Sequence, residues 1–587
     1  MFSIKTSFGE IEFLKPNNFK YADATSNIAF KLSKEIRKNP IVIANEIVNE
    51  IKNNDAFEKV ENINGFINVF FSKKFFIDFV MRIIEEDFIS KIEKKQRFLI
   101  EFVSANPTGP LNIVNARAGA IGDSLVRIGR FLGNEVLSEY YVNDEGSQIE
   151  NLGYSILWRL GIKFVLKNGI ISILNNVEME KIEILEIDGK ILDMSESVYK
   201  GSYLIEISQL IKEEVMDKIS QYSGKEGDLD KIRKIAYEIG KICAKYILSW
   251  QLETLRIYRV EYDNVVKESF IRNSKYPKIV LEKLKDHLYL EDMEKNKYKL
   301  EEKELEKLLN REYYVKNYGG KALVLKTTIY GDDKDRVLIR SNGEPTYFFW
   351  DIAYHYYKIE RIGNGYIINL LGPDHYGYVP RLKSALKMLN FENIQVLIIQ
   401  QTNLIQEGKK LDMSKRKGQI YEMNELIEEV GIDASRFFFL LRSPSAHLDF
   451  DINLAKKLSS ENPVFYVQYA HARIESIKEH AKTVGISIDF NRKYLENYNF
   501  ENERHLLVLS TYFEDNLKKA FYGLEPHLLV YYLLEVVEAF HKYYQKHRVI
   551  DIEDKNSTIS RIIILEAIRK IINKGLELLG VDAPTKM

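Results

Sequence analysis

The chain has 587 residues, 84 Lys and Arg against 85 Asp and Glu, 45% hydrophobic residues, 12% aromatics and a single Cys. One Cys excludes an internal disulfide, no CxxC pair or HExxH suggests a structural zinc, and no apolar run approaches the roughly 18 residues that span a bilayer. Glu10 and Glu12 interrupt the start where a secretory signal needs an apolar core, so a protein of the reducing cytoplasm with about three to five domains is expected, and a net charge of −1 leaves nucleic-acid partners open.

In chain order, Ile28, Leu32, Ile36, Ile43 and Ile47 fall at helical spacing and GFINVFF at 65–71 reads as a strand, which predicts a small α+β unit over 1–95. FLIEFVSA at 98–105 is a strand closed by the loop NPTGP, and the spacing of Ile113, Ala116, Ala120, Ile121, Leu125 and Ile128 predicts a helix after it. YIINLLG (366–372) and IQVLIIQQ (394–401) flank a helical LKSALKMLN, so β–α–β alternation recurs and a doubly wound parallel sheet over 96–455 is the economical reading. Residues 155–330 mix short β-like runs with Lys/Glu-rich helices and read as an insertion plus connecting structure. From 456 to 587 the pattern is helical almost throughout.

Three loops carry polar groups suited to chemistry. The strand, Pro/Gly loop and helix of 101–125 set Ser104, Asn106, Thr108, Asn112 and Asn115 at a sheet's carboxyl edge, where helix N-termini hold phosphates; the same residues also serve as turns and caps. GKKLDMSKRKGQ (408–419) places five cations in nine positions, as a polyphosphate clamp would or a solvated basic face. Tyr347, Asp351, Tyr354 and Lys358 share one helical face, and a carboxylate beside a phenol suits a planar guanidinium, although a surface acid and a core tyrosine would look alike. On the C-terminal helices Tyr466, Tyr469 and Arg473 also share a face, fit to stack an unpaired base or to pack inside the bundle.

With these loops in this order, the chain resembles the arginyl-tRNA synthetases, class I aminoacyl-tRNA synthetases, over nearly its whole length. EFVSANPTGPL, EYYVNDEGSQIENLG, GEPTYFFWDIAYH, LGPDHYGYVPR, MSKRKG and NPVFYVQYAHAR carry the resemblance. It implies a Rossmann-type catalytic domain with an α+β N-terminal domain touching the tRNA elbow and an all-α anticodon-binding domain. It implies activation of L-arginine with ATP and Mg²⁺, with no structural zinc, and transfer to tRNA(Arg) by a cytoplasmic monomer.

Carried over position by position, the resemblance puts arginine on Glu101, Ser104, Asn106, Tyr347, Asp351 and His375. ATP falls to Thr108, Gly109, Asn112, Val114, Asn115, Met413 and Lys415, with Lys415, Ser414, Asn112 and Asn115 serving catalysis. The tRNA falls to Asn68, Tyr466, Tyr469, Arg473 and Met587. The first signature departs from the family's His, aliphatic, Gly and then His or Asn: Asn112 stands for the first His and Val114 for a Gly against which adenine would lie, while Asn115 is a common family variant. Asp412 stands at the first lysine of the second signature, while Pro373 and Tyr376 alter the loop around His375. Two readings follow, a working arginine–tRNA ligase or a tRNA-binding homologue whose adenylation is weak or absent.

Overall fold

The computed structural model describes residues 2–89, 95–178, 182–300, 302–411 and 421–587. At its centre lies a five-stranded sheet in the order Asn264–Lys267, Glu135–Val142, Arg97–Glu101, Tyr366–Leu371, Ile394–Ile398, with every neighbouring pair parallel. Near-continuous apolar strands such as YIINLL are buried on both faces, as a helix-covered parallel sheet requires. The first strand feeds the Ile113–Phe131 helix, which returns to its neighbour, so the chain winds one way and then, from Tyr366, the other. Cross-strand register sets Glu101 between Glu139 and Asn369 at the carboxyl edge.

Asn264–Lys267, inside the stretch read as insertion, is the edge strand of this sheet. The inserted unit itself carries a second five-stranded sheet and is joined on through the Ser147–Arg159 and Leu229–Ile257 helices. These helices cross at two glycines. A Cβ at Gly153 would lie 1.7 Å from the Ala236 carbonyl oxygen and one at Gly240 1.8 Å from that of Ile149, so no larger residue fits either position.

The N-terminal unit is a three-stranded antiparallel sheet with Phe66–Phe71 in the middle, covered by the Ile28–Ile36 and Pro40–Ile51 helices. After the sheet the chain forms a helix over Lys73–Ile84. Beyond Leu448–Asp451 the described chain is helical, its main members being Pro463–Thr483, His527–Lys546 and Lys555–Leu578. Asn462 caps the first of these, with Pro463 behind it, and Asp554 caps the last.

The last turn of the chain is built into the join between this bundle and the sheet domain. Fully buried Arg436 donates to the Leu579 and Tyr258 carbonyls at 2.9 and 2.8 Å and pairs with Asp123 of the Ile113–Phe131 helix. Arg259 donates to Asp433, the Gly580 carbonyl and Asp582, while Gln468 donates to Asp433 and the Asp582 carbonyl. Gly580 has φ +68°, and its Cα faces the Arg436 guanidinium so closely that a Cβ would meet it at 2.3 Å. On the other side, Arg504 pairs with buried Asp23, whose carbonyl accepts from Tyr512 Oη at 2.6 Å, fastening the N-terminal unit to the bundle.

Candidate active site

The Arg97–Glu101 strand ends in a reversal that few side chains tolerate. Val103 has φ +69° and Ser104 φ +40°, and the Ser104 N–H returns to the Phe102 carbonyl at 3.0 Å. A β-branched residue in the left-handed region costs about 1–3 kcal/mol, so surrounding bonds must hold it. Ser104 Oγ donates to Glu101 Oε1 at 2.8 Å and accepts the Tyr141 N–H at 3.1 Å. Glu101 is 6% exposed, and its other oxygen pairs with the fully buried Lys358. Both oxygens of this arginine candidate are therefore engaged by the protein.

The NPTGP loop is clamped from the inserted helices. Gln251 Nε2 donates to the Asn106 and Gly109 carbonyls at 3.0 and 2.7 Å, and Tyr203 Oη donates to the Thr108 carbonyl at 2.5 Å. Asn106 is exposed and donates through Nδ2 to Gln148 at 2.8 Å. Asn112 and Asn115 then start the helix as a reciprocal cap. Asn112 Oδ1 accepts the Val114 and Asn115 N–H groups, and Asn115 Oδ1 accepts the Asn112 N–H at 3.0 Å. Both carbonyl oxygens are consumed in capping, which leaves their amide N–H₂ groups as the donors for a ligand. Val114 is 38% exposed on this first turn.

Arg117, one turn further on, is buried with no acid paired to it among the described residues. It donates to the carbonyls of Gln400, Gln401, Ser443 and Ala446, and burial pulls its guanidinium down to about 10, so it stays charged at neutral pH. Met413, Ser414 and Lys415 lie outside the described residues. The strand pair Thr402–Gln406 and Lys409–Lys410 leads into their segment.

Opposite stands the Tyr347–Ile362 helix, capped by Thr346. Its shared face runs from the mouth of the site to its floor: Tyr347 is 53% exposed, while Tyr354 and Lys358 are buried. Tyr347 overhangs Gly146, where a Cβ would lie 3.1 Å from its hydroxyl, and borders a cavity of about 630 Å³ lined also by Glu145, Tyr237, Arg272, Arg340 and Trp350. Asp351 accepts from Tyr378 Oη and lies 3.2 Å from His355 Nδ1. Burial alone would raise the Asp351 carboxyl; a charge on His355 when it is protonated, the hydrogen bonds from His355 and Tyr378 and the nearby Lys358 all act against it. His375 is exposed on the Pro373–Tyr378 turn, its ring edge-on to Tyr378 at 6.2 Å.

Sequence reasoning passed over Glu139, His355, Asn369 and Tyr378. Glu139 is fully buried and accepts from Tyr354 Oη at 2.8 Å and from Arg361. His355 was within reach, four residues from Asp351 on the same helix, and Asn369 stood out as an amide inside the apolar run YIINLLG. Gln251 and Tyr203 carried no such signal.

Among the tRNA candidates, Tyr466, Tyr469 and Arg473 are half-buried on one face of the Pro463–Thr483 helix. His541 packs against both tyrosine rings at 4.7 and 5.9 Å, and the Arg473 guanidinium lies 4.9 Å over Tyr469. Met587 is half exposed. Asn68 is 7% exposed in the middle strand of its sheet, its side-chain oxygen accepting from Thr25 Oγ1 at 2.7 Å, so it is neither a turn cap nor an open surface residue.

A parallel sheet with a capped helix at its carboxyl edge, an inserted unit and a helical C-terminal bundle is the architecture of an aminoacyl-tRNA synthetase. Family models agree: the DALR anticodon binding domain matches residues 467–587 and the arginyl tRNA synthetase N terminal domain residues 3–71. An arginine–tRNA ligase of Aquifex aeolicus is 36% identical over 590 residues, spanning 98% of this chain and 95% of its own length, and that of Lawsonia intracellularis is 36% identical over 97% and 94%. The arginyl-tRNA synthetase structure of Thermus thermophilus superposes with a TM-score of 0.70 at 20% identity, covering 98% of this chain and 96% of that one. The chain belongs to the arginyl-tRNA synthetase family.

Proposed function

We propose that the chain works as an arginine–tRNA ligase: it activates L-arginine with ATP to arginyl-adenylate and passes the arginyl group to the 3′ terminal adenosine of tRNA(Arg). The observation that carries this reading is Asp351, a carboxylate that accepts from Tyr378 Oη and faces His355 Nδ1 at 3.2 Å, one turn along the helix from the exposed aromatic Tyr347. A guanidinium wants such a pairing of planar acceptor and aromatic wall.

In the activation step a carboxylate oxygen of arginine attacks the α-phosphorus, a new P–O bond forms, and the bond to the bridging oxygen breaks to release pyrophosphate. Little covalent work falls to the protein, so positioning and charge stabilisation carry the rate. The N–H₂ groups of Asn112 and Asn115, left free by the cap, are the donors assigned to the phosphates, with Thr108, Gly109 and Val114 against the nucleotide. Met413, Ser414 and Lys415 are assigned to the departing pyrophosphate. Mg²⁺ enters with the nucleotide; among the described residues no group of three or more His, Cys, Asp and Glu side chains is arranged to hold it.

The same reading assigns residues 1–95 to a tRNA-contacting domain with Asn68, 96–455 to catalysis and 456–587 to anticodon recognition through Tyr466, Tyr469, Arg473 and Met587. It places a monomer in the cytoplasm; among the described residues no helix is long and apolar enough to cross a membrane. ATP–pyrophosphate exchange with and without tRNA tests the reading. Arginine-dependent exchange is expected, and its absence in both conditions would leave only the non-catalytic tRNA-binding homologue.

A further inference from the structure

Behind Asp351 runs a line of buried polar side chains with only one self-consistent arrangement of hydrogens. Lys358 is fully buried, His355 and Asn369 are each 2% exposed, and none of the three faces solvent that could supply an alternative partner. Lys358 Nζ lies 3.0 Å from one end of the Asn369 amide, and the other end lies 2.7 Å from His355 Nε2. His355 Nδ1 in turn lies 2.8 Å from the Asp351 carbonyl oxygen and 3.2 Å from its carboxylate.

An ammonium group only donates, so the amide atom facing Lys358 is the oxygen. That leaves the amide N–H₂ facing His355 Nε2, which must accept and therefore carries no proton. The imidazole proton sits on Nδ1, where both neighbours are acceptors. Orientation of an amide and choice of a histidine tautomer are ordinarily separate assignments, but here one lysine decides both. Glu101 holds that lysine in place, with Ser104 on its second oxygen.

We propose that Lys358, Asn369 and His355 are positioning residues that form a one-way hydrogen-bond chain, pinning the His355 proton on Nδ1 so that Asp351 meets the substrate guanidinium as an anion oriented by neutral donors. It rests on the reading of Asp351 as the guanidinium partner. Tyr378 donates to one carboxylate oxygen of Asp351, and the His355 Nδ1–H, shared with the Asp351 carbonyl, faces the other, so a lone pair remains on both oxygens for a bidentate fork. The chain also gives buried Glu101 a task other than touching arginine, because its charge fixes the lysine from which the polarity of the whole line descends.

The test is isosteric. Asn369→Asp replaces the donor facing Nε2 by an acceptor, which draws a proton to that nitrogen and sets an imidazolium against Asp351. In tRNA-dependent pyrophosphate exchange, KM for arginine should rise roughly tenfold or more while KM for tRNA stays put. Nitrogen-15 NMR of the histidine-labelled full chain, with His355 assigned by loss of its signals in His355→Gln, should show a protonated Nδ1 and a bare Nε2 in the unaltered protein. This measurement needs no folded Asn369 variant. A proton on Nε2 in the unaltered protein overturns the proposal. So does an Asn369→Asp protein that melts normally, gains the Nε2 proton and keeps its arginine KM. If instead the spectrum is as stated but Asp351→Asn leaves arginine use intact, the reading of Asp351 falls and not the chain behind it.

Discussion

Asn112 and Glu422 face each other across a single antiparallel bridge, and the Met423 N–H donates to the Leu111 carbonyl at 2.8 Å. The segment that caps the Ile113–Phe131 helix is thus bonded, through the Leu111 carbonyl beside the cap, to the chain just beyond residues 412–420, which include Lys415. Two segments separated by some three hundred residues in sequence share one stretch of hydrogen-bonded backbone. Substitution at the cap is therefore expected to act on both.

Restoring the residues that the family carries should speed the ATP step. Asn112→His with Val114→Gly is expected to accelerate single-turnover adenylation at saturating arginine and tRNA, by up to about a hundredfold if one transition-state donor is regained. Loss of the Asn112 cap should at the same time cost about 0.5–2 kcal/mol, seen as a lower melting temperature. Equal rates in the two proteins would mean that the native loop already compensates.

Asp351→Asn should weaken arginine use by orders of magnitude while tRNA binding is spared, since breaking a buried charge pair costs about 3–5 kcal/mol. Steady-state kinetics with arginine and tRNA varied separately decide the matter. An unchanged specificity constant for arginine would remove Asp351 from the site.

Tyr469→Ala should raise the apparent constant for tRNA by the roughly 1–3 kcal/mol of a stacked base and leave those for arginine and ATP alone. Arg473→Ala should act in the same direction with a weaker salt dependence. Because Tyr469 also packs on His541 and beneath Arg473, its melting temperature must be measured alongside. A change confined to melting would make these rings bundle packing and nothing more.

Acid should loosen the helical bundle through Glu566. Burial raises this carboxyl, but Arg569 and Lys478 outweigh burial and hold it below its ordinary value of 4.5. A depressed acid stabilises the fold above its unfolded pKa and loses that contribution as pH falls through the folded one. The melting-temperature gap between the native chain and Glu566→Gln should accordingly be full at neutral pH and shrink as the pH falls below 4.5 and through the lower folded value. A gap that widens on acidification would contradict the ion pairing.

The alternation of strands and helices over 98–133 and 366–401 could be read because FLIEFVSA and YIINLLG run into Pro and Gly and each helix keeps its spacing. Asn264–Lys267 could not, since four residues with one buried position form no pattern until a neighbour pairs with them. In the site, Tyr347 and Asp351 follow from spacing along one helix. Lys358 was placed on the right face, yet nothing local announces that its partner is Glu101, 257 residues away, or that Gln251 would hold the Asn106 carbonyl across 145. Such pairs are made by the closing of the sheet and not by any stretch of chain.

The residues after Leu578 serve as acceptors for donors from three separate elements. Were they displaced, Arg436, Arg259, Gln468 and His471 would lose the carbonyls of Leu579, Gly580, Asp582 and Pro584 together. Each buried donor so stranded costs about 1–3 kcal/mol, and none can be released without the others. The bundle and the sheet domain are consequently expected to unfold together, as a single calorimetric transition, although the two are built from different parts of the chain.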